Sequence, residues 1–163
     1  LHLCDRRQRQ MCIRDRDIAI ILQAQLKEIG IDLAVETLEW GAYLDGTARG
    51  DHELFMLGWV TVTGDADYGL YPLLHSSSFG GAGNRAFYHN PKVDELLSKA
   101  RVSINQEERK ELYKEVADII YTDVPVIPMY YTNNTVASTK NVEGMKPTSY
   151  IRFNELKFKV SDK

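Results

Sequence analysis

Apolar positions in the first third of the chain change from a helical to an alternating period. Residues 17–29 are predicted to form a helix, because their apolar side chains recur every three or four positions. These side chains are Ile18, Ile21, Leu22, Leu26 and Ile29. Gly30 follows at the position where a left-handed cap residue is favoured, so we expect the helix to end there.

Two predicted strands enclose a short helix after this point. Residues 31–38 alternate between apolar and polar side chains, which is the period of a strand. Residues 40–48 favour a short helix that the breaker Gly50-Asp51 ends. The continuously apolar run 54–60 is typical of a strand covered on both faces. Strand, helix and strand in this order predict a βαβ unit with a right-handed crossover.

Glycines, serines and aromatic residues alternate over residues 61–89 without a sustained apolar period. This composition predicts a long surface loop. Long loops carried by a rigid sheet are where binding residues tend to lie, so the segment is a candidate for part of a ligand site.

Two helices are predicted from residue 90 onward. Asn90 is a favoured N-cap, Pro91 is a favoured first helical residue, and an apolar stripe follows them. The stripe consists of Val93, Leu96, Leu97 and Ala100. Asn105 and Glu108 resemble a capping box that opens the second helix, and Pro125 stops it. The apolar face of that helix consists of Leu112, Tyr113, Val116, Ile119 and Ile120.

The last part of the chain is predicted to be mainly extended. Residues 126–131 and 135–139 favour strands, and the alternation over 150–160 predicts a final strand after a turn that contains glycine and proline. Two α/β pieces therefore flank a narrow connection near residues 131–134.

Composition and charge argue against several classes of protein. The hydrophobic content of 44% and the charged content of 26% are ordinary for a soluble domain. A net charge of −3 argues against nucleic-acid binding, which needs clustered Lys and Arg. No apolar run approaches the roughly 20 residues that span a bilayer.

The first sixteen residues differ from the rest of the chain. They hold five arginines and both cysteines, and they carry +3 while the remaining residues carry −6. A basic nucleic-acid arm is one interpretation. The other is foreign sequence joined to a truncated gene, because residues 11–16 resemble translated adaptor sequence. We expect residues 1–16 to be non-native or disordered, with few contacts to the core.

Patterns for catalysis and metal binding are incomplete. The histidines at 52, 75 and 89 lack ligand-like spacing and a cysteine partner, which argues against zinc. The glycines of 80–83 are not followed by Lys-Ser or Lys-Thr, and no serine has the nucleophile-elbow pattern. Asp65-Ala66-Asp67 begins like a calcium loop but lacks the closing acid, so a loop-capping role is preferred. We expect no metal and no cofactor.

The two tryptophans are the strongest candidates for recognition. Trp59 ends a predicted buried strand, where open α/β sheets place ligand sites, and Trp40 begins the short helix. Aromatic walls provide a large contact area at little cost in entropy. From position alone, each tryptophan is either a ligand wall or ordinary core.

From Asp17 onward, the order of features resembles the C-terminal region of the oligopeptide/dipeptide/nickel family of ABC-importer binding proteins (solute-binding protein family 5). The matching pieces share order and spacing over some 140 residues. They are Gln25 to Ile31, Glu39-Trp40 with Tyr43-Leu44, Gly58-Trp59, Gly64 to Asp67, Asn84 with Tyr88 to Pro91, Asp94 with Leu96-Leu97, Glu108-Arg109 with Leu112-Tyr113 and Val116, and Pro125 to Tyr131.

The resemblance implies an α/β, two-lobe periplasmic-binding-protein-like (type II) fold that is truncated here. Residues 17–131 would form the second half of the C-terminal ligand-binding lobe. Residues 132–163 would cross the hinge and add strands to the N-terminal lobe. Without their partners, these strands would leave exposed edges around Val136, Ile151, Phe153 and Phe158.

The implied function is extracytoplasmic solute binding, with a peptide as ligand, for import by an ABC transporter, and not catalysis. The expected partners are the ligand and the permease subunits, with no nucleic acid. The membrane would be contacted only through a lipid anchor or the permease. The location would be the periplasm, or the cell surface as a lipoprotein.

The binding residues transfer only in part from the family. Trp40 and Trp59 match tryptophans that line the peptide cleft. Val62 stands where relatives carry the acid that pairs with the peptide amino group, and Thr47 and Met56 stand at positions used for peptide carboxylates.

The ligand site is expected to include Trp40, Trp59, Val62, Thr63, Asp65 and Tyr131. Either Asp65 or Asp67 replaces the missing acid, another lobe supplies it, or the ligand is not an ordinary peptide. Glutathione-like, haem, metal-chelate and sugar ligands therefore stay open as alternatives. A hydrolase is a further alternative, although no paired nucleophile and base supports it.

Overall fold

The computed structural model of the protein describes residues 3–131, 139, 141–143 and 157–158. The helices in this part of the chain are α1 (Leu3–Glu28), α2 (Trp40–Arg49), α3 (Ala66–Leu74), α4 (Pro91–Val102) and α5 (Gln106–Asp123). Two 3-10 turns, Ser76–Ser78 and Gly80–Ala82, lie between α3 and α4. The antiparallel pair of β1 (Val142–Glu143) and β2 (Lys157–Phe158) places Val142 opposite Phe158.

Helix α1 ends where the sequence predicts but begins much earlier. Gly30 has φ +84°, and the N–H groups of Gly30 and Ile31 donate to Lys27 and Leu26 at 3.1 and 3.0 Å. Residues 1–16 were expected to be non-native or disordered, and the backbone of residues 3–16 is helical. The segment is rich in Arg, and its Gln, Leu and Met residues also favour a helix even without an apolar face. That residues 1–16 are foreign to the protein stays a prediction.

Helix α2 confirms the prediction for residues 40–48. The Glu39 carboxylate caps it by accepting from the N–H groups of Gly41 and Ala42 at 2.9 and 3.2 Å. Gly50, with φ +83°, ends it in the left-handed conformation that glycine adopts without strain.

The strands predicted at 31–38, 54–60 and 126–131 are not formed in the described residues. A strand needs a neighbour for its N–H and C=O groups, and these segments have no ladder partner there. At Met56 a side chain takes that place: the Tyr43 hydroxyl donates to its carbonyl at 2.7 Å and accepts from its N–H at 3.0 Å. The βαβ prediction is therefore wrong as a paired sheet in this part of the chain.

The hydrophobic core lies between α3, α4 and α5. Leu74, Val93, Leu96, Leu97 and Val116 are at most 2% exposed and contact one another. The buried stripe predicted on α4 is thus confirmed, including Ala100. The predicted face of α5 packs on this cluster through Leu112, Tyr113, Ile119 and Ile120.

The caps around α4 and α5 also follow the sequence. Asn90 accepts from the N–H of Lys92 at 3.0 Å, and Asn105 accepts from the N–H groups of Glu107 and Glu108. The capping box differs from the prediction in one respect. The Glu108 carboxylate accepts from the Ser103 hydroxyl, and that hydroxyl in turn accepts from the Asn105 N–H.

Most of the predicted strands at 135–139 and 150–160 lies outside the described residues. So do Val136, Ile151 and Phe153, which were expected to lie at exposed edges.

The surface loop predicted over residues 61–89 is largely ordered structure. It contains α3 and the two 3-10 turns, and it buries Leu74, Ser78 and Asn84. The Asn84 amide donates to the carbonyls of His75 and Tyr88, and its oxygen accepts from the Tyr88 N–H. The prediction was wrong because the polar groups of these turn residues form hydrogen bonds with one another rather than with solvent.

His75 links this segment to α4. Its Nδ1 accepts from the N–H of Ser77 at 3.0 Å, so the imidazole caps the turn Ser76–Ser78. Its Nε2 lies 3.1 Å from the Ser98 hydroxyl. The Asp94 carboxylate binds both the N–H and the hydroxyl of Ser76. The turn is thereby fixed to one face of α4.

Gly80 cannot carry a side chain without movement of α2. It has φ +70°, and a Cβ built there would lie 2.4 Å from the carbonyl oxygen of Ala48. We expect Gly80→Ala to lower the free energy of unfolding by ~1–3 kcal/mol, the usual cost of overpacking. Gly81→Ala is the control, because a Cβ there meets nothing within 4 Å. Urea denaturation of both variants gives the comparison, and equal midpoints would contradict the expectation.

Candidate functional site

Trp59, one of the predicted ligand-site residues, is held in place by contacts with Tyr68. Its indole Nε1–H donates to the carbonyl oxygen of Tyr68 at 2.9 Å, and the two rings lie 5.7 Å apart. The Trp59 residue is nevertheless 39% exposed, and the nearby Val60 and Val62 are 66% and 52% exposed. An aromatic plane held in place beside exposed apolar groups provides a surface suited to a ligand.

Trp40 is connected to the same region through Tyr43. It is half-buried at the first position of α2, and its ring stacks on Tyr43 with centroids 6.1 Å apart. Because the Tyr43 hydroxyl binds the backbone of Met56, the start of α2 is joined to the segment that leads into Trp59.

A shallow cavity of about 280 Å³ lies at the N-terminus of α3. Its lining is Thr63, Asp65, Asp67, Tyr68, Arg101, Ser103 and Arg109. The predicted site residues Thr63 and Asp65 therefore share one cavity, and Tyr68 connects it to Trp59. Tyr131 is 95% exposed, so it is not packed against the other predicted site residues.

Asp65 already has partners within the fold. Its Oδ1 accepts from the N–H of Asp67 at 2.8 Å, which caps α3, and from Arg109 Nη2 at 2.7 Å. Arg109 also donates to the carbonyl of Ala100 and to the hydroxyl of Tyr113. An incoming ammonium group would have to compete with Arg109 for this carboxylate. A ligand-anchoring role for Asp65 stays a prediction.

A second arginine lies beside Asp67. The Arg101 guanidinium lies 3.9 Å above the Tyr71 ring, and its Nε is 3.5 Å from Asp67 Oδ1. That oxygen is buried and has no hydrogen-bond partner among the described residues, so the contact with Arg101 is an ion pair without a hydrogen bond. Arg101 near the end of α4 and Arg109 near the start of α5 thus both face the start of α3.

Sequence reasoning missed Arg101, Arg109 and Tyr68 as parts of this region. Arg109 contributed to the family resemblance, but its partner Asp65 lies 44 positions away along the chain. A pairing at that separation leaves no local pattern. Tyr68 acts through its backbone carbonyl, which side-chain identity does not reveal.

Among the described residues, no group of three or more His, Cys, Asp or Glu side chains could hold a metal ion. No helix in the same part of the chain is both long and apolar enough to cross a membrane.

The Asp65 ion pair predicts a pH effect on stability. The hydrogen bond from Arg109, followed by that from the Asp67 N–H, holds the pKa of Asp65 below its ordinary value. A lowered folded-state pKa stabilises the fold above the ordinary Asp pKa, and this contribution is lost as the pH falls through the folded-state pKa. We therefore expect the loss of stability below pH ~4 to be smaller in Asp65→Asn, which keeps a capping oxygen without the titrating charge.

Urea midpoints at several pH values down to acid test this expectation. Asp45→Asn, at an exposed position of α2, is the control and should retain the acid dependence of the unaltered protein. The same pH profile in Asp65→Asn and Asp45→Asn would contradict the assigned role of the ion pair.

The sequence and the fold agree with one family. Residues 12–81 match the family model described as bacterial extracellular solute-binding proteins, family 5 Middle. Di/tripeptide-binding protein 2 of Pseudomonas aeruginosa is 32% identical over 142 residues, which are 86% of this chain and 27% of that protein. Glutathione-binding protein GsiB of Salmonella typhimurium is 34% identical over 128 residues, covering 75% of this chain and 25% of that protein.

A solved structure shows the same fold. The periplasmic binding protein DppA of Helicobacter pylori, in complex with the peptide STSA, superposes with a TM-score of 0.75 and is 35% identical. The match covers 88% of this chain and 29% of that protein. The expected periplasmic-binding-protein fold is therefore confirmed, and the chain spans between a quarter and three tenths of the length of these relatives.

Proposed function

Since this chain belongs to the bacterial extracellular solute-binding proteins of family 5, we propose that it forms one wall of a peptide-binding site. In this proposal the complete protein binds a short peptide outside the cytoplasm and passes it unchanged to the permease subunits of an ABC importer. No catalytic step and no cofactor is part of this function.

The observation that carries the proposal is the exposure of Trp59 in a fixed orientation. A tryptophan residue that is 39% exposed and has its indole N–H bonded to Tyr68 offers a large, preorganised contact surface. The exposed Val60 and Val62 extend that surface along the chain. Such a run of apolar groups suits the side chains of a bound peptide or an opposing lobe that closes over it.

The proposed site joins this wall to the cavity at the start of α3. Thr63 lines that cavity, and its hydroxyl accepts from the Asp65 N–H at 3.2 Å. In this proposal Trp40, which stacks on Tyr43, belongs to the same wall. Tyr131 would belong to the connection between lobes, where closure brings further groups to the ligand.

The division of the chain follows from the same proposal. Residues 17–131 form part of the ligand-binding lobe, and residues 132–163 cross to the other lobe. The location we propose is the periplasm, or the cell surface if the protein carries a lipid anchor. That the relatives are solute-binding proteins supports this location and the absence of turnover.

Short peptides are the proposed ligands, and glutathione is the second candidate. Di/tripeptide-binding protein 2 and the STSA complex of DppA support the first. The relative GsiB supports the second. Both ligand types carry a free ammonium group and carboxylates, so a test must separate them directly.

Calorimetric titration of the complete protein that contains this chain tests the proposal. We expect dipeptides and tripeptides to bind with Kd at or below the micromolar range, glutathione more weakly, and N-acetylated peptides more weakly than their free counterparts. Mass spectrometry after prolonged incubation should return the peptide intact. Tight binding of glutathione alone would favour the second candidate, and cleaved peptide would contradict a binding function.

A further inference from the structure

Helix α3 contains a proline in its interior. Pro72 is the seventh residue of Ala66–Leu74, so it lies well beyond the first turn, where proline is normally accommodated. A residue at this position would donate its N–H to the carbonyl four residues earlier, which is that of Tyr68. Proline has no N–H, and the Tyr68 carbonyl therefore lacks its normal helical donor.

The same carbonyl accepts the indole N–H of Trp59. The distance from Trp59 Nε1 to Tyr68 O is 2.9 Å, which is the usual length of an N–H···O bond. The proline ring also crowds the carbonyl four residues before it, and this crowding favours a carbonyl turned away from the helix axis. The carbonyl oxygen of Tyr68, which loses its helical donor to Pro72, is thus the same atom that accepts the Trp59 indole N–H.

A second contact brings the Trp59 segment onto this turn of α3. A Cβ built at Gly69 would lie 3.2 Å from Thr61 Cγ2, so the backbone of α3 and the residues after Trp59 approach closely here. The Trp59 and Tyr68 rings lie 5.7 Å apart at the same place. Three contacts therefore fix the segment 59–61 against residues 68–69.

We propose that Pro72 is a positioning residue for Trp59. By leaving the Tyr68 carbonyl without a helical donor, it provides the acceptor that sets the plane of the indole ring. As far as it concerns ligand binding, this role rests on the proposed function. The orientation of Trp59 itself does not depend on that function.

Replacing Pro72 by alanine restores an N–H that competes for the Tyr68 carbonyl. We expect the indole N–H of Trp59 to exchange with solvent faster in Pro72→Ala by about two- to tenfold, the range that the net strength of one hydrogen bond implies. Its ¹H–¹⁵N resonance should shift toward that of a solvent-exposed indole. Trp40 provides an internal reference, because its ring stacks on Tyr43, whereas the Tyr68 carbonyl accepts from Trp59.

Pro91→Ala is the matched control. Pro91 occupies the first position of α4, where an N–H would have no helical acceptor, so the substitution frees and occupies no carbonyl. The Trp59 resonance should remain unchanged in this variant. An unmoved resonance in Pro72→Ala, or equal shifts in both variants, would overturn the proposal.

A double-mutant comparison separates positioning from general stability. Trp59→Phe removes the indole donor, and its effect on the unfolding equilibrium should be smaller in the Pro72→Ala background, where the new N–H bonds the Tyr68 carbonyl. Equal effects in both backgrounds would contradict the coupling.

Ligand titrations complete the test. Peptide affinity should fall about two- to tenfold in Pro72→Ala and stay unchanged in Pro91→Ala. If no peptide binds any variant while the Trp59 resonance shifts only in Pro72→Ala, the proposed function fails and the positioning role stands. If peptide binds and that resonance does not move, the positioning role fails alone.

Discussion

Trp59→Ala is expected to weaken peptide binding by ~2 kcal/mol or more, which is about a thirtyfold rise in Kd and the scale of an aromatic hot spot. The substitution removes a ring that is preorganised by its bond to Tyr68, in a residue that is 39% exposed before ligand arrives. Little entropy is therefore lost when the ring contacts the ligand. Calorimetry on the complete protein provides the measurement, after circular dichroism has shown that the variant is folded.

Phe79→Ala is the control for this prediction. Phe79 has a similar exposure of 44%, but its ring packs on Phe87, 5.6 Å away, and not beside Trp59. Its loss should leave affinity within about twofold, because surface substitutions away from a site have effects within ±0.5 kcal/mol. A folded Trp59→Ala variant with unchanged affinity would remove Trp59 from the site.

Leu97→Ala is expected to lower the free energy of unfolding by ~2–5 kcal/mol, the range for a large-to-small change in a packed core. Leu97 is 0% exposed and lies in the cluster that joins α3, α4 and α5. The cavity it leaves would be lined by side chains from several helices, which cannot all move inward.

Val102→Ala tests the same helix without a cavity. Val102 is the last residue of α4 and is 79% exposed, so its replacement should change the unfolding free energy by less than ~0.5 kcal/mol. Urea denaturation of the two variants and the unaltered protein gives the difference. Similar small losses for both would show that the α4 stripe is not the core of this part of the protein.

Local signals explain which elements were predictable. Asn90-Pro91, Asn105 and Gly50 act within a few residues of where they stand, so the end of α2 and the starts of α4 and α5 could be predicted from the sequence. Helix α3 was missed although Asp65 caps it, because Pro72 and Gly69 in its interior resemble loop residues.

Elements that depend on distant partners could not be predicted. The run 54–60 has the composition of a strand, but a strand forms only beside another, and composition does not specify which one. At the candidate site, Trp59 became a candidate because it lies at the end of that run. Its hydrogen bond to the Tyr68 carbonyl, which Pro72 leaves without a helical donor, depends on three separate positions. No one of these positions reveals the bond in the sequence.

The hydrogen bonds of His75 fix which ring nitrogen carries the proton. A backbone N–H can only donate, so Nδ1, which faces the Ser77 N–H, is the acceptor, and Nε2 carries the hydrogen that points to the Ser98 hydroxyl. An asparagine at position 75 could place an oxygen where Nδ1 lies and accept from the Ser77 N–H, but it would be too short to reach Ser98. A glutamine could reach Ser98 only by giving up the bond to the Ser77 N–H. One imidazole tautomer therefore makes both hydrogen bonds at once, whereas each amide side chain could make only one of them.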